Sequence, residues 1–403
     1  MHDRLVVVGA SAAGVSAAAA ARSSGYQGEI VLVGDEPHHP YERPPLSKAL
    51  FDDGELLVPL MDEDYYRQND IQLLLGSTAV ALDADAQTVV LADGTRLTAD
   101  AMLLATGAQP RRLGCPGADF EHIGYLRSMD DAQRIRSWLD QGGPLVVIGG
   151  GFIGLELAAS AVVHGSQVTV VEQQQEVLLA PLGAAAGNIF RRVHLEAGAQ
   201  IITGHEVTAI RGDRDVEAVE LSNGEMIPAA AVVVGIGVVP NIGLVEHLGL
   251  SSNGVRVNEF GQSGQPWIYA AGDVAEQPVA FNGEWARIEH WNTAMSLGAT
   301  AGASMAGVMV AHTEVPYFWS DQYDLKIQVF GRTNPTAQVI VRGSIAERDF
   351  ALCWVNGSTV SAVAAVNRPA DARGGRSLIG NRTIVDLDDL RDAADLRRLS
   401  TKR

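Results

Sequence analysis

The chain has 403 residues, which at about 150 residues per domain suggests two or three domains. Apolar residues make up 47% of it and charged residues 19%, and this balance excludes an intrinsically disordered protein. The 48 acidic residues outnumber the 30 Lys and Arg residues, and the net charge of −18 excludes a general nucleic-acid binder. The two cysteines, Cys115 and Cys353, exclude a disulfide framework and a cysteine metal cluster, so we predict no bound metal.

The uncharged stretch from residue 5 to residue 21 follows Arg4 and superficially resembles a signal peptide. Gly9 and Gly14 divide this stretch, and the β-branched run before Gly9 favours a buried strand. The stretch is also shorter than the ~20 residues that a membrane span needs. We therefore interpret it as a strand, a turn and an Ala-rich helix of a cytoplasmic protein that is not bound to a membrane, with a signal peptide as the less favoured alternative.

Two stretches of the chain follow one plan of strand, glycine turn, helix, second strand and acid. The first has these features at 5–8, 9–14, 30–33 and Asp35, and the second at 145–148, 149–154, 168–171 and Glu172, with a helix after each turn. This order is the context that a dinucleotide-binding unit requires. Because the two copies start 140 residues apart, we predict two nucleotide-binding domains and not a solenoid.

The two copies stay parallel further along the chain. Asp93-Gly94 and Asn223-Gly224 lie between alternating runs and predict hairpins with type I′ turns. Thirteen residues after each glycine, an apolar strand ends in Ala105-Thr106-Gly107 or in Gly235-Ile236-Gly237. The repeat therefore extends over at least the first half of the chain.

The last part of the chain has a different pattern. Alternating or apolar runs predict strands at 325–330, 338–342, 352–355 and 360–366, and a charged helix begins near Asp386. From residue 313 to the end there are 13 bases and 11 acids, a charge of +2, whereas the 312 residues before it hold 17 bases and 37 acids, a charge of −20. We expect a mixed α+β domain without a nucleotide motif.

Glycines at a strand-to-helix turn let backbone N–H groups approach a pyrophosphate at the positive end of a helix dipole. Gly149, Gly151 and Gly154 match this pattern, whereas in the first copy Ser11 occupies the middle position between Gly9 and Gly14. A serine adds a side chain where backbone must come close, which weakens the first motif.

The acids at the strand ends predict which nucleotide fits. Asp35 lies 26 residues after Gly9 and Glu172 lies 23 residues after Gly149, near the spacing of a carboxylate that binds a ribose hydroxyl. Glu172 is followed by three glutamines and no arginine, so we predict NADH and not NADPH. The alternative is a solvated acid at a strand end.

Several further segments carry a family resemblance, and they extend over essentially the whole chain. They are Arg43-Pro44-Pro45-Leu46-Ser47-Lys48, 105–107, 149–156, 235–237, Ala271-Gly272-Asp273, Arg287-Ile288-Glu289-His290-Trp291 and Trp319-Ser320-Asp321-Gln322-Tyr323. With these motifs the chain resembles the FAD-dependent ferredoxin–NAD(+) reductases that serve Rieske-type dioxygenases and bacterial cytochromes P450. Rubredoxin reductases and apoptosis-inducing factor are the wider relatives.

The resemblance implies an α/β fold with two Rossmann-like domains, as in glutathione-reductase-like enzymes, and an α+β C-terminal domain. The implied FAD-binding domain comprises residues 1–112 and 242–314, the NAD-binding domain residues 113–241 and the C-terminal domain residues 315–403. It further implies transfer of electrons from NADH through FAD, one at a time, to a [2Fe–2S] ferredoxin that feeds an oxygenase. We expect a monomer or a weak homodimer.

The resemblance also assigns site residues. Those implied to bind FAD are Gly9, Ser11, Ala13, Gly14, Asp35, Arg43, Lys48, Val80, Ala105, Thr106, Gly107, Arg127, Gly272, Asp273, Glu289, His290 and Trp291. Those implied to bind NAD are Gly149, Gly151, Phe152, Ile153, Gly154, Glu156, Glu172, Gly235, Ile236 and Gly237. Lys48 and Glu156 would be the catalytic pair beside the flavin that faces the nicotinamide.

Each of these roles has a structural alternative. Asp273 is also a candidate helix N-cap, and Glu156 in the first turn of a helix would complement the dipole. Trp291 and Trp319 fit packing at least as well as electron transfer, and His290 fits a packing residue with one hydrogen bond.

The positions of the cysteines separate the resembling families. Disulfide reductases carry a pair of cysteines on the helix after the FAD motif, and NADH oxidases carry one near the flavin, whereas this chain has none before Cys115. Flavin electrons must therefore leave directly, and the natural route is two single-electron steps to an iron–sulfur partner. A rubredoxin reductase and a flavin-bound NADH sensor of the apoptosis-inducing-factor type remain as alternatives.

The charge distribution suggests where an acidic ferredoxin docks. The C-terminal part is the one region whose balance is not negative, and its candidate docking residues are Arg332, Arg342, Arg348, Arg368, Arg373 and Arg376. The alternative is that these arginines pair with the local acids and contribute little to docking.

Overall fold

A computed structural model describes residues 3–48, 50, 57–250, 253–334 and 336–399. The strands in this part of the chain are β1 (Arg4–Val8), β2 (Glu29–Val33), β3 (Ile71–Leu74), β4 (Ala79–Asp83), β5 (Thr88–Leu91), β6 (Arg96–Thr98), β7 (Ala101–Leu104), β8 (Ala108–Pro110), β9 (Ile123–Tyr125), β10 (Pro144–Ile148), β11 (Gln167–Glu172), β12 (Gln200–Thr203), β13 (Val207–Gly212), β14 (Val216–Leu221), β15 (Met226–Pro228), β16 (Ala231–Val234), β17 (Val238–Pro240), β18 (Val255–Arg256), β19 (Ile268–Ala270), β20 (Ala275–Pro278), β21 (Trp285–Arg287), β22 (Tyr317–Gln322), β23 (Leu325–Gly331), β24 (Gln338–Ser344), β25 (Asp349–Asn356) and β26 (Thr359–Val366). The helices are α1 (Ala12–Ser23), α2 (Pro45–Lys48), α3 (Glu63–Gln68), α4 (Met129–Asp140), α5 (Phe152–Val163), α6 (Leu179–Leu182), α7 (Ala184–Glu196), α8 (Trp291–Met305), α9 (Pro369–Gly380) and α10 (Leu387–Asp392), with 3₁₀ turns at Glu246–Leu248, Gly272–Val274 and Leu396–Arg398.

The chain divides into two compact units. The first unit consists of Met1–Glu42, Leu57–Gln109 and Val239–Phe318, and the second of Arg43–Leu56, Pro110–Val238 and Trp319–Arg403. The three-domain division with its boundaries at 112, 241 and 314 stays a prediction.

A five-stranded sheet in the order β19-β7-β1-β2-β3 forms the centre of the first unit, and its strands pair in parallel. Its central strands are apolar and almost completely buried, as expected when both faces of a parallel sheet are covered. Helices α1 and α8 pack closely at two glycines of α8. A Cβ atom at Gly298 would lie 2.3 Å from the Ala13 carbonyl oxygen, and one at Gly302 would lie 2.0 Å from the Ala17 carbonyl oxygen. The interpretation of the N-terminal stretch as strand, turn and helix is confirmed.

The second unit repeats this plan. Its parallel sheet has the order β12-β11-β10-β16-β9, and β10 passes through a glycine turn into α5 as β1 passes into α1. Residues of β10 and β16 are buried in the core of this sheet. The predicted repetition of an α/β nucleotide-binding architecture is therefore confirmed.

The predicted hairpins are present, but their turns differ from the prediction. Gly94 and Gly224 have φ of +89° and +83°, whereas the preceding Asp93 and Asn223 keep negative φ. The Gly94 N–H donates to the Leu91 carbonyl at 2.9 Å, which forms a three-residue loop with a type I turn and a glycine bulge. The type I′ prediction was wrong, because this loop places the positive φ on glycine alone.

In the C-terminal segment of the second unit, the sheet has the order β22-β23-β26-β25-β24. The four predicted strands and the final charged helix are present, the latter as α10 with Asp386 as its N-cap. Strand β22 and helix α9 were not predicted. The α9 sequence contains Gly374 and Gly375, which let the helix pack tightly: a Cβ atom at Gly375 would lie 2.5 Å from a Val363 methyl carbon.

No helix in the described ranges combines the length and the apolar character needed to cross a bilayer.

Candidate functional site

A cleft of about 850 Å³ in the second unit lies at the glycine turn between β10 and α5. Gly149 adopts φ +112°, and a Cβ atom there would lie 2.3 Å from the Gly235 carbonyl oxygen, so only glycine fits. Gly154 is similarly confined, because its Cβ would lie 2.2 Å from the Gly149 carbonyl oxygen. Gly151 is the N-cap of α5, and a Cβ atom there would meet no atom within 4 Å. The start of α5 thus presents bare backbone to open space, which fits a nucleotide pyrophosphate.

Glu172 lies at the end of β11 and lines this cleft. Its carboxylate accepts hydrogen bonds from the backbone N–H groups of Gly150 at 2.7 Å and Gln174 at 2.8 Å. These bonds fix the carboxylate beside the glycine turn. The assignment of Glu172 to a ribose hydroxyl stays a prediction.

The cleft also contains residues that the motifs did not reveal. Arg111 and Arg112 line it, and the Arg112 guanidinium lies 4.2 Å from the centre of the Tyr125 ring. These arginines are about 60 positions from Glu172 in sequence, so a local motif could not place them in the cleft. They add positive charge to a cleft that also contains the negatively charged Glu172.

The other predicted NAD residues are close to this turn in sequence. Phe152 and Ile153 begin α5, and Ile153 is 49% exposed. Gly235, Ile236 and Gly237 follow β16 and line the same cleft.

In the first unit, the corresponding turn connects β1 to α1. Gly9 has φ +119°, and a Cβ atom there would lie 2.1 Å from the Ala105 carbonyl oxygen. Gly14 is confined in the same way by the Gly9 carbonyl oxygen at 1.9 Å. Ser11 is the N-cap of α1, the position that Gly151 has in α5, and Ala13 lies in the first turn of the helix. Two structurally equivalent glycine cradles are therefore present, one in each unit.

Further predicted FAD residues lie elsewhere in the first unit. Thr106, next to Gly107, is fixed by reciprocal hydrogen bonds with Asn241, each 2.8 Å long. Asp35 is exposed after β2, and Val80 is 55% exposed on β4.

Further predicted FAD residues lie in the segment that leads to α8. Asp273 lies inside the 3₁₀ turn Gly272–Val274 whose N-cap is Ala271, so the interpretation of Asp273 as an N-cap was wrong. Arg287 donates to the Asp273 carbonyl at 3.1 Å and forms an ion pair with Glu289 at 2.7 Å.

His290 and Trp291 begin helix α8. His290 is the N-cap, Trp291 is the first helical residue, and the His290 ring lies 4.6 Å from the Phe318 ring. This contact supports the packing role considered for His290.

Lys48 and Glu156 form a buried ion pair in the second unit. The Lys48 Nζ atom lies 2.6 Å from Glu156 Oε1, and their side chains are 15% and 4% exposed. Ser47 donates to Glu156 Oε2 at 2.6 Å and Ser320 donates to Oε1 at 2.6 Å. Lys48 Nζ also lies 5.7 Å from the centre of the Trp319 ring. The carboxylate therefore accepts from three donors that come from two separate chain segments.

Glu156 is the fifth residue of α5. A carboxylate complements the helix dipole only within the first turn, and Glu156 lies beyond it. The alternative that Glu156 merely complements the dipole was therefore wrong. The side chain instead points to α2, since both of the residues that α2 contributes donate to it.

The hydrogen bonds continue beyond Ser320. Gln322 Nε2 donates to Ser320 Oγ at 3.1 Å, and Gln322 Oε1 lies 3.1 Å from His194 Nε2. His194 Nδ1 lies 3.1 Å from the Tyr323 hydroxyl. Burial lowers the pKa of His194 to about 4, so this imidazole is neutral at physiological pH.

Arg43 and Arg127, two further predicted FAD residues, also meet in the second unit. The Arg43 guanidinium donates to the Arg127 carbonyl at 2.5 Å.

Residues 3–298 match the family described as pyridine nucleotide-disulphide oxidoreductase, and residues 317–400 match the reductase C-terminal family. The chain belongs to the pyridine nucleotide-disulphide oxidoreductase family.

Individual relatives of this oxidoreductase cover nearly its whole length. It is 37% identical over 402 residues to putidaredoxin reductase of Pseudomonas putida, covering 97% of this chain and 95% of that protein. It is 36% identical over 393 residues to the ferredoxin–NAD(+) reductase component of the p-cumate 2,3-dioxygenase system of Pseudomonas putida, covering 97% and 96%. The solved covalent complex of putidaredoxin reductase with putidaredoxin matches with a TM-score of 0.95 at 36% identity, covering 98% of each chain.

These relationships confirm the predicted resemblance of the oxidoreductase to ferredoxin–NAD(+) reductases and its fold class. The prediction of FAD and NADH as the cofactors of this family is confirmed as well. The two glycine cradles fit such nucleotides. The assignment of individual residues to them stays a prediction.

The arginines of the C-terminal segment of the oxidoreductase differ in their surroundings. The Arg342 side chain is 2% exposed, forms an ion pair with Asp371 at 3.2 Å and donates to the carbonyl groups of Leu390, Arg391 and Ala393. Arg342 is therefore excluded as a docking residue, because it is buried and holds the end of α10.

Two of the other candidates are engaged with acids, as the alternative interpretation expects. Arg348 pairs with Asp324 and Glu196, and Arg368 pairs with two aspartates. Arg373 and Arg376 are exposed on α9.

The two cysteines of the oxidoreductase are free. Cys115 lines the cleft, and Cys353 is buried in β25, where burial raises the pKa of its thiol to about 12. Burial also raises the pKa of the Cys115 thiol, so both sulfurs stay protonated at neutral pH.

Proposed function

We propose that this oxidoreductase takes electrons from NADH through FAD and passes them singly to a [2Fe–2S] ferredoxin that feeds a Rieske dioxygenase or a cytochrome P450. The observation that carries this proposal is the combination of two glycine cradles with a buried Lys48–Glu156 pair, of which Glu156 lies on the helix that begins at the second cradle. No cysteine thiol with a lowered pKa accompanies them in the described residues, which favours direct delivery of electrons to a one-electron acceptor over dithiol chemistry.

NADH binds in the cleft of the second unit. The backbone N–H groups at the start of α5 bind its pyrophosphate, with Arg111 and Arg112 adding positive charge. Glu172 accepts hydrogen bonds from a ribose hydroxyl and repels a 2′-phosphate, since its carboxylate is already fixed beside Gly150.

FAD binds at the first cradle. The start of α1 and the Gly9 turn bind its phosphates, Asp35 its adenosine ribose, and the Gly272-Asp273 turn its ribityl chain. When bound, FAD supplies the chemistry that the side chains cannot, namely acceptance of a hydride and release of single electrons.

Lys48 and Glu156 contribute fixed charges to this chemistry. The carboxylate of Glu156, which also accepts from Ser47 and Ser320, holds the Lys48 ammonium in one place. A preoriented cation of this kind stabilises negative charge that develops nearby without reorganisation of solvent.

The partner is a ferredoxin that docks near the C-terminal segment. Arg373 and Arg376 are the docking residues, because both side chains are exposed on α9. Their charge suits an acidic surface and raises the rate of encounter.

We also propose that FAD is bound by residues 1–112 and 242–314 and NADH by residues 113–241, and that the protein works in the cytoplasm. Two free, protonated thiols fit a reducing compartment.

The test is NADH-dependent reduction of cytochrome c by the purified holoprotein. We expect little reduction without a carrier and rapid reduction when a [2Fe–2S] ferredoxin is added. Rapid reduction with rubredoxin in place of ferredoxin would transfer the assignment to a rubredoxin reductase. Slow flavin reduction that no carrier accelerates would indicate a sensor of the apoptosis-inducing-factor type and would contradict the proposal.

A further inference from the structure

Strand β22 places polar side chains in the interior of the second unit. Ser320 is completely buried and Gln322 is 1% exposed, and both lie on the same face of the strand because side chains alternate along it. Asp321, between them, lies on the other face and pairs with Lys326 at the surface, at 3.0 Å. Burying a polar group is unfavourable unless each one finds a partner, so packing alone does not explain two of them in succession.

Their partners lead to the Lys48–Glu156 pair. A carboxylate only accepts hydrogen bonds, so the Ser320 hydroxyl donates to Glu156 Oε1 and is free to accept from Gln322 Nε2. The Gln322 carbonyl oxygen then accepts from His194 Nε2–H, and the Tyr323 hydroxyl donates to the remaining imidazole nitrogen.

One arrangement of protons satisfies this polar network, which consists of His194, Ser320, Gln322 and Tyr323. Every donor in it points towards Glu156 when the imidazole is neutral with its proton on Nε2. The lowered pKa of the buried His194, about 4, agrees with the neutral form.

We propose that Ser320 and Gln322 are positioning residues that fix the Glu156 carboxylate and, through it, the Lys48 ammonium. This inference rests on the proposed function, in which that pair is the catalytic one. Glu156 Oε1 accepts from both Lys48 and Ser320, and Oε2 accepts from Ser47, so these contacts set the plane of the carboxylate.

The dependence runs over a long distance in sequence. Ser320 lies 164 positions after Glu156, so the C-terminal segment determines the geometry of a side chain on α5. Without the Ser320 hydroxyl, Glu156 Oε1 keeps one donor and the Gln322 amide loses its acceptor. A shift of about 1 Å in a charged group can slow a reaction up to about a hundredfold.

The experiment compares Ser320→Ala with Ser361→Ala in the holoprotein. Ser361 is a matched control, because its hydroxyl donates to the Trp354 carbonyl in the same sheet and is outside the polar network. Anaerobic stopped-flow mixing with NADH gives the rate of flavin reduction and the dissociation constant of NADH separately. Crystal structures of both variants without cofactor give the distance between Lys48 Nζ and Glu156 Oε1.

We expect Ser320→Ala to lower the limiting rate of flavin reduction about tenfold with little change in NADH affinity, and to lengthen the Lys48–Glu156 contact beyond a hydrogen bond, about 3.5 Å. Ser361→Ala should change neither. Ser320→Thr, which keeps the hydroxyl, should recover most of the rate, and Gln322→Leu should lower it in the same direction as Ser320→Ala.

An unchanged limiting rate in Ser320→Ala, or an unchanged Lys48–Glu156 distance, would overturn the positioning role. A wild-type protein whose flavin NADH does not reduce would contradict the proposed function instead, while the crystal structures would still decide whether Ser320 positions the pair.

Discussion

Lys48 and Glu156, which we propose as the catalytic pair, stabilise each other inside the second unit. Both side chains are largely removed from water, with the Lys48 Nζ atom 2.6 Å from the carboxylate. Removal of one member of a buried ion pair leaves an uncompensated charge. The two serines that also donate to Glu156 reduce that penalty but supply no positive charge.

Replacement of Lys48 tests the energetic coupling of the pair. Lys48→Met should lower the free energy of unfolding of the apoprotein by about 3 kcal/mol, because Glu156 stays buried without a cation. Lys326→Met is the control, since Lys326 pairs with Asp321 at the surface, where an ion pair contributes about 1 kcal/mol or less. Equal losses in the two variants, measured by urea denaturation, would show that the buried pair has no special role.

His194 makes stability depend on pH in a defined window. Its pKa is about 4 in the folded protein and about 6.5 in the unfolded chain, where the imidazole is in water, so the unfolded chain takes up the proton first as the pH falls. This contribution to the free energy of unfolding is complete above pH 6.5, falls between 6.5 and 4 and is lost below, a change of roughly 3 kcal/mol.

The measurement for His194 is urea denaturation of the apoprotein from pH 7 to pH 4. The wild type should lose more stability across this range than His194→Gln, which has no titrating group at this position. Identical pH dependence of the two proteins would contradict the assignment of a neutral, buried imidazole.

At the scale of elements, the strand–turn–helix units are what the chain predicts best. The β-branched runs of β1 and β10 and the glycines at fixed spacing are local signals, and both occur in the structure as predicted. The hairpin turns and helix α9 were not predicted correctly. Gly374 and Gly375 disfavour a helix locally. Because they lack side chains, α9 packs so closely on its neighbours that a Cβ atom at either position would lie 2.5 Å from another side chain. Tertiary packing thus overrides helix propensity here.

The backbone at the start of α5 should contact the pyrophosphate of NADH. Gly151→Ala adds a methyl group into space that no protein atom occupies within 4 Å, so the fold should be unchanged. The methyl group should raise the dissociation constant of NADH about tenfold, because backbone there must approach the pyrophosphate. Gly243→Ala, equally unobstructed but outside the cleft, is the control. Unchanged NADH affinity in Gly151→Ala, measured by calorimetry, would remove this cradle from the binding site.

Arg342 should hold the C-terminal elements together. Its guanidinium pairs with Asp371 and binds carbonyl groups that end α10, where a cation is favourable. Arg342→Met should therefore lower the free energy of unfolding by about 3 kcal/mol or more. Arg373→Met, on the exposed side of α9, should change it little. Equal stability of the two variants by urea denaturation would contradict this role.

For the whole molecule, the sequence predicts the distribution of charge along the chain well, but it predicts poorly which charged side chains are available to a partner. The net charge of −18 and the nearly balanced C-terminal segment can be counted, but which arginines are free of ion pairs depends on partners distant in sequence, such as Glu196 for Arg348. The same limit applies to the site. Lys48 and Glu156 carry motif signals, whereas the polar network joins segments more than 120 positions apart and has no local pattern.

Exposed charge on α9 should affect the partner and not the cofactors. The double variant Arg373→Glu/Arg376→Glu should raise the KM for ferredoxin severalfold and weaken its dependence on salt, because two favourable charges become repulsive. Arg192→Glu is the control, because Arg192 is exposed on α7. Its neighbour Arg191 pairs with Glu176 and is left unchanged. An unchanged KM and salt dependence would exclude α9 from the docking surface.

The most direct test of the account is anaerobic stopped-flow spectroscopy of the holoprotein with NADH, followed by mixing with oxidised [2Fe–2S] ferredoxin. The account predicts an oxidised flavin spectrum that NADH bleaches rapidly and NADPH slowly, and that ferredoxin restores as its own cluster is reduced. A colourless protein, or a flavin that NADH reduces but ferredoxin does not reoxidise, would contradict it.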